Sequence, residues 1–376
     1  MTFVRTTIDL LPQQTLGSGH ALSVLRFGPE SAERKIHLQA ALHADEMPGA
    51  LMLHELARRL AELDAADRLR WQIQLVPLAN PIGLGQYVSG YYPIGRFHLP
   101  SLENFNRGFP DVTPLIVERA KDRLSADETS NVHGIRALMR EALAAKQPRT
   151  EIEALRLTLL QLAFDADWVL DLHCDGESVP HLYTGTDLWP DFEPLARLIG
   201  SQANLLAWHS GCTPFDEALS RPWFELRTQL AGTFPVPLAC RAATIELRGQ
   251  SDVAYDVSQG DSDAMIAFMT IIGAIQGPVP KPPLLLYPAT PLEACELIIA
   301  PRSGVIVHRA SVGSSLRAGE GVSDIVDPVN GKTATLQTRH GGLLFARSRN
   351  RFAHAGAEVA KIAGAVAHRT GQLLSM

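Results

Sequence analysis

The sequence predicts an α/β protein: a mixed, mostly parallel sheet flanked by helices, with a small C-terminal β-sandwich or barrel after it. Three observations carry that expectation. Over the first three-quarters of the 376 residues, short apolar runs alternate with leucine-rich segments of helical period, the pattern of strands joined by helices. At Gly277 the helical period gives way to a run with six prolines in fifteen residues. Beyond it, two stretches resemble each other at an offset of 37–38 residues: Gly304 matches Gly342, Gly319 matches Gly356, and Ile325 matches Ile362.

The elements follow in order. Ile36–Leu42 is an apolar run suited to a buried strand, and Pro48-Gly49 turns the chain into a helix over Ala50–Leu63, with leucines at 51, 53, 56, 60 and 63. Trp71–Leu78 reads as the next strand and stops at Asn80-Pro81, since a proline disfavours helix before it. Residues 87–110 are rich in Gly, Pro, Tyr and Asn and have no period; long irregular segments inside a compact domain are usually functional. Residues 115–163 read as a solvated helical pair, because acids and bases are mixed through them. Asp167–Leu172 and Ala242–Leu247 are two further buried strands. The expected division is therefore an α/β domain over 1–276, a stiff proline-rich linker over 277–291, and a β domain over 292–376 built from the two pseudo-repeats.

Composition narrows the function classes. At ~150 residues per domain the length suggests two or three domains, enough to bury a core without disulfides. The net charge is −6, with 34 basic against 40 acidic residues and no basic run, which argues against a nucleic-acid partner. No apolar stretch reaches the ~18–20 residues of a membrane span, and the N-terminus shows no signal-peptide pattern. Four scattered cysteines without a C-x-x-C pair fit reduced thiols in a cytoplasmic protein. The expected partner is a small molecule, with no nucleic acid, no membrane, and a homo-oligomer left open.

Four segments carry chemistry, each where a strand gives way to a loop, the usual site position in an open α/β sheet. His43 and Glu46 stand three apart in the turn after the first strand. They can offer a nitrogen and an oxygen to one ion. His173 closes the Asp167–Leu172 strand. Two histidines and a glutamate form a hydrolytic zinc set that leaves the fourth position to water. Asn106-Arg107 joins an amide to a guanidinium that can grip a carboxylate with two hydrogen bonds. Glu246 sits in the otherwise apolar Thr244-Ile-Glu246-Leu, where burial is expensive without a partner. A metal-bound water would be such a partner, with Glu246 as its general base.

A His-x-x-Glu pair, a strand-borne His, an Asn-Arg pair and a strand-borne Glu, in that order, resemble the zinc carboxypeptidase clan. Asn80-Pro-Ile-Gly83 and Phe105-Asn-Arg-Gly-Phe-Pro110 fit that order. Within the clan, the trailing β domain and the His43-Ala-Asp-Glu46 and Asp171-Leu-His-Cys-Asp175 contexts resemble the succinylglutamate desuccinylase/aspartoacylase family over roughly residues 30 to 370. The resemblance implies one zinc per chain, bound by His43, Glu46 and His173. It implies Glu246 as proton shuttle, Asn106 and Arg107 as holders of the substrate carboxylate, and Arg96 as the arginine polarising the scissile carbonyl. The implied activity is removal of an acyl group from a small N-acyl amino acid or related amide, with the β domain over the cleft. Thr244-Ile-Glu-Leu-Arg-Gly249 looks more like the carboxypeptidase version of that strand, so release of C-terminal residues from peptides stays open.

Some residues have plainer readings. Asp171 and Asp45 are either carboxylates orienting a ligand histidine or loop acids. Cys174 is expected to pack, and His37 and His54 to be structural or exposed. Lys332 occupies the turn where carrier domains place a modified lysine, but Asp327-Pro-Val-Asn-Gly-Lys-Thr333 lacks the Met-Lys-Met or Asp-Lys-Ala setting.

Overall fold

A computed structural model describes residues 4–12, 16–87 and 94–374. In chain order its first part contains β1 (Val4–Asp9), β2 (Ala21–Phe27), β3 (Lys35–Ala40), α1 (Pro48–Ala65), β4 (Gln72–Val76), α2 (Pro81–Leu84), α3 (Thr113–Ala120), α4 (Glu128–Ala144) and α5 (Glu151–Ala163). There follow β5 (Trp168–Asp175), β6 (Glu177–Ser178), β7 (His181–Thr184), α6 (Trp189–Leu198), β8 (Ala203–Leu206), α7 (Phe215–Gln229), β9 (Arg241–Gly249), α8 (Tyr255–Ile271) and β10 (Ala289–Pro291). Among the described residues these strands, β6 excepted, form a nine-stranded sheet in the order β1-β2-β4-β3-β5-β9-β7-β8-β10. Its centre, β4-β3-β5-β9, is parallel, while β2 against β4 and β7 against β9 are antiparallel. The mixed, mostly parallel sheet is as the sequence implies.

Alternation along the central strands gives the sheet two different faces. Ile36 and Leu38 of β3, Ile73 and Leu75 of β4, Leu170 and Leu172 of β5 and Ile245 of β9 lie in one core with Leu53, Phe192 and Phe268 of α1, α6 and α8. The opposite face packs against α3, α4, α5 and α7. There the same strands carry His37, Gln39, Gln74, Asp171 and His173, all buried. Buried parallel strands are normally near-continuously apolar. This face is polar along one line, and the line ends at the candidate site.

The helical insert corrects an expectation. Residues 115–163 are not a solvated pair: α3, α4 and α5 cover the sheet, and Ile135, Leu138, Leu155 and Leu159 are in the core. Many of the mixed charges sit on the outward sides, as at Arg140 and Glu141, while ten of thirteen residues of α5 are buried, Glu151 and Arg156 among them. A strip of charge made the segment look more exposed than it is.

The proline-rich run ends in β10, which pairs in parallel with β8 at the edge of the main sheet. Beyond it come β11 (Cys295–Ile299), β12 (Gly304–His308), β13 (Ser315–Leu316), β14 (Gly321–Asp327), β15 (Lys332–Gln337), β16 (Gly342–Arg347), β17 (Phe352–Ala353) and β18 (Glu358–Ala363). They make two antiparallel sheets, β11-β18-β16-β13 and β15-β14-β12-β17, around a shared core that includes Ile306, Ile325, Leu344 and Ile362. This is a β-sandwich. Gly304 and Gly342 each begin a strand, and Gly319 and Gly356, at φ +84 and +85, each turn the chain two residues before the next. Lys332 is exposed at the start of β15. Among the described residues no helix is long and apolar enough to cross a membrane.

Leu155→Ala tests the packing of α5. The leucine is fully buried, so the substitution should cost ~2–5 kcal/mol in denaturant unfolding; a solvated helix would lose less than ~0.5 kcal/mol.

Candidate active site

The expected Ile36–Leu42 strand ends at Ala40 because Ala41 takes a left-handed backbone, φ +56, which turns the chain off the sheet edge. Asn80 secures this turn: its Nδ2 donates to Leu42 O at 2.8 Å and its Oδ1 accepts from Gly83 N, capping α2. Glu46 N closes on His43 O at 3.0 Å, so both side chains of the pair face one point. The 94–97 segment lies directly over them. Ala44 N donates to Gly95 O at 2.9 Å, and a Cβ on Gly95 would stand 2.2 Å from Asp45 N. Only glycine permits that approach, which places Arg96 Nη2 2.8 Å from Glu46 Oε1. Residues 88–93 of the irregular 87–110 segment lie outside the described residues.

His173 arrives from β5. Its Nδ1 is 2.8 Å from Glu46 Oε2, and His43 Nδ1 is 3.0 Å from Glu46 Oε1. The other nitrogen of each ring is anchored: His43 Nε2 on Asn104 Oδ1 at 2.9 Å, His173 Nε2 on Asp171 Oδ2 at 2.9 Å. Of the two aspartates considered for such a role, Asp171 has it, while Asp45 accepts from Gln250 Nε2 instead. Asn104 was missed. Its signal was the Asn-Phe-Asn-Arg alternation, in which Phe105 is buried in the core and the flanking asparagines face the site. His37 is buried and His54 exposed. Cys174 is a packed thiol whose backbone N–H donates to Glu46 Oε2 at 3.2 Å.

Burial and neighbouring charge set the protonation of this group. Burial and the Arg96 guanidinium lower His43 to about 4, against the pull of Glu46. Burial also opposes charge on His173, but Asp171 and Glu46 outweigh it and hold that ring well above the ordinary histidine range. Glu46 is held well below the usual carboxylate range by the two histidines despite its burial. Glu246, whose Cα pairs with that of His173 between β5 and β9, is raised to about 8 by burial, with Asp175 and Glu46 adding. Among the described residues its Oε2 is buried without a hydrogen-bond partner.

One cavity, open to solvent, is lined by His43, Arg96, Asn106, Arg107, His173 and Glu246. Six of the seven candidate site residues thus line one cavity, and the seventh, Glu46, lies beneath its surface in contact with His43, His173 and Arg96. Asn106 Oδ1 accepts from Phe215 N at 2.9 Å, which turns its Nδ2 to 3.3 Å from His173 Nε2. Arg107 Nη1 donates to Asn106 O at 2.7 Å, and burial lowers its pKa. The sandwich adds Leu297, Glu358 and Lys361 to the lining, and the segment after β18 adds Arg369. Lys361 Nζ bonds Asp175 Oδ2 at 2.6 Å, and Arg347 Nε bonds Glu177 Oε2 at 2.7 Å.

Residues 32–270 match the model of the succinylglutamate desuccinylase/aspartoacylase catalytic domain. The chain belongs to this family. Its members are deacylases of small acylated amino acids. Several solved structures share the fold. A family protein of Shewanella amazonensis is 24% identical, with a TM-score of 0.82, covering 96% of this chain and 98% of its own. A second, from Shewanella frigidimarina, is 21% identical, with a TM-score of 0.82 and coverage of 96% and 97%. The ectoine utilization protein EutE (DoeB) of Ruegeria pomeroyi, in a product-bound form, is 15% identical, with a TM-score of 0.69 and coverage of 97% and 95%. No curated protein matches the chain.

The donor set fits a metal. One atom each from His43, Glu46 and His173 lie within 4.8 Å of one another, all buried, with both imidazoles oriented by partners on their second nitrogens. In equilibrium dialysis the protein should bind about one divalent metal ion per chain. His43→Ala or His173→Ala should lose most of it, since three ligands cannot spare one; full occupancy in either variant would refute the assignment.

Proposed function

We propose that the chain is a zinc-dependent amidohydrolase that removes the acyl group from a small N-acyl amino acid or related amide. One zinc ion per chain would be held by His43, Glu46 and His173. The observation that carries this reading is Glu246: a buried carboxylate oxygen without a hydrogen-bond partner among the described residues, in the same cavity as the two histidines. When bound, zinc supplies the Lewis acidity that lowers the pKa of water to ~7 and polarises an amide carbonyl.

The remaining steps fall to side chains. Glu246 takes the proton of the attacking water and returns it to the leaving nitrogen, so that an amine departs in place of an amide anion. Arg96, beside Glu46 at the cavity surface, offers its guanidinium to the oxyanion that forms at the carbonyl. Arg107 grips the substrate carboxylate. Asn106 completes that anchor by holding Arg107 through its backbone carbonyl and by standing against His173. The wall contributed by the sandwich favours small substrates over peptide tails. The alternative, a carboxypeptidase, rests on the Thr244–Gly249 strand, and assays of amino-acid release from peptides against deacylation separate the two. Four free cysteines suit a reducing, cytoplasmic setting.

Glu246→Gln keeps volume and removes the base, so metal content should be unchanged while kcat falls ~10²–10⁴-fold. If metal leaves with activity, Glu246 is a ligand or a structural residue. Arg107→Ala should cost ~2–4 kcal/mol in kcat/KM on a carboxylate-bearing amide and little on the matching neutral amide. Equal losses on both substrates would mean that Arg107 supports the fold or the oxyanion and is not a carboxylate anchor.

A further inference from the structure

The polar line on the inner face of the sheet does not end at Asp171. Asp171 Oδ1 accepts from Gln39 Nε2 at 3.0 Å, Gln39 Oε1 lies 3.3 Å from His37 Nε2, and Gln74 Nε2 lies 2.8 Å from His37 Nδ1. Gln74 Nε2 also donates to Leu162 O at 2.9 Å, and Gln74 Oε1 accepts from Arg26 Nε at 3.2 Å. Arg26 Nη1 reaches Thr6 Oγ1 at 2.9 Å. These residues sit on β1, β2, β4, β3 and β5, five neighbouring strands, and the register makes the chain continuous: Gln74 pairs with His37, and Gln39 with Asp171. Gln74, His37, Gln39 and Asp171 are all fully buried.

We propose that Gln74, His37 and Gln39 are positioning residues for His173, forming a one-way hydrogen-bonded relay that fixes which nitrogen of His173 carries hydrogen and which faces the metal site. The direction follows from its outer end. A backbone carbonyl only accepts, so Leu162 O and the Arg26 donor together fix Gln74 with its nitrogen toward His37. His37 Nδ1 must then accept, which leaves its hydrogen on Nε2 to be donated to Gln39 Oε1. The buried ring stays neutral, since burial lowers its pKa to about 3. Gln39 is thereby oriented with its nitrogen toward Asp171. The carboxylate, held on one oxygen, presents the other to His173 Nε2 and requires a hydrogen there. His173 Nδ1 is left to point at Glu46 and, on the metal reading given above, to bind the ion. The amide of Asn106, 3.3 Å from Nε2, is a packing contact in this arrangement, because that nitrogen's hydrogen is committed to Asp171.

Reversing any one step sets two donors or two acceptors face to face inside the core, where an unsatisfied polar group is costly. The relay is therefore determined from its anchored end. That accounts for two glutamines and a histidine on a face where parallel strands normally carry Val, Ile or Leu.

Two measurements test the relay. In ¹⁵N-histidine-labelled wild type, nitrogen shifts should report His37 as the neutral Nε2–H form, with and without zinc. Gln39→Leu and Gln39→Glu, neither of which can donate to Asp171 when the glutamate is ionised, should weaken zinc binding ~10–100-fold in chelator competition, with unfolding followed in the same samples. A purely structural role would lower the unfolding midpoint and leave zinc affinity unchanged. An Nδ1–H form of His37, or unchanged zinc affinity in a folded Gln39 variant, overturns the proposal. If the wild type binds no zinc, the metal reading fails by itself, and the His37 form still decides the direction of the relay.

Discussion

A single buried carboxylate organises the catalytic end of this molecule. Glu46, 1% exposed, takes His43 and Arg96 on one oxygen and His173 and the Cys174 N–H on the other. Removing one charge from water is costly unless it is paired and fully hydrogen-bonded. Three segments distant in sequence must therefore meet at that point: the 43–46 turn, the 94–97 segment and the end of β5. The local backbone shows the demand. Ala41 and Arg248, which flank the site at the ends of β3 and β9, hold left-handed conformations, φ +56 and +63, that non-glycine residues rarely adopt. Such strain persists only where surrounding contacts over-determine it.

The sheet behind the site resolves two opposing requirements by giving each a face. Packing wants apolar side chains, and the face under α1, α6 and α8 supplies them without interruption. Positioning wants hydrogen bonds, and the other face supplies a polar line inside an otherwise apolar layer. Period-two alternation keeps the two from mixing. A one-residue slip of β3 would bury Ile36 and Leu38 against Asp171 and expose His37 and Gln39 to the leucines of α1. The polar line therefore fixes register as well as orienting a histidine.

Those physical relations explain what could be read from the residues alone. His43, Glu46, His173 and Glu246 were legible because each is a polar residue at the end of an apolar strand, where burial without a purpose is expensive. Asn106-Arg107 was legible as an amide beside a guanidinium, and Arg96 only through the family resemblance. Gln39, Gln74 and Asn104 were not singled out: a glutamine in a strand reads as an edge position, and the asparagine is one of several in an irregular segment. Their meaning depends on register between strands far apart in sequence. The sandwich was visible through its glycine spacing. The covering role of α3, α4 and α5 was hidden because charges on the outward sides dilute the helical period. Lys361–Asp175 and Arg347–Glu177 join side chains about 170 to 186 positions apart, which no local pattern could reveal.

The attachment of the sandwich carries the last step of the argument. β6, two residues long, lies just past the end of β5, and it pairs with β16, so that Ser178 faces Ala346 and Glu177 faces Arg347. The strand that delivers His173 thus leads directly into a backbone link with the C-terminal sheets. Lys361 then neutralises Asp175, a carboxylate that would otherwise raise Glu246 further. Cavity shape and the charge felt by Glu246 are consequently set by the same contacts. The lining includes two arginines, Arg107 from the 104–107 turn and Arg369 from the C-terminal segment. It also includes the apolar side chains of Leu205, Leu292 and Leu297. The Lys361–Asp175 and Arg347–Glu177 pairs join the sandwich side of this cavity to the end of β5 and to β6.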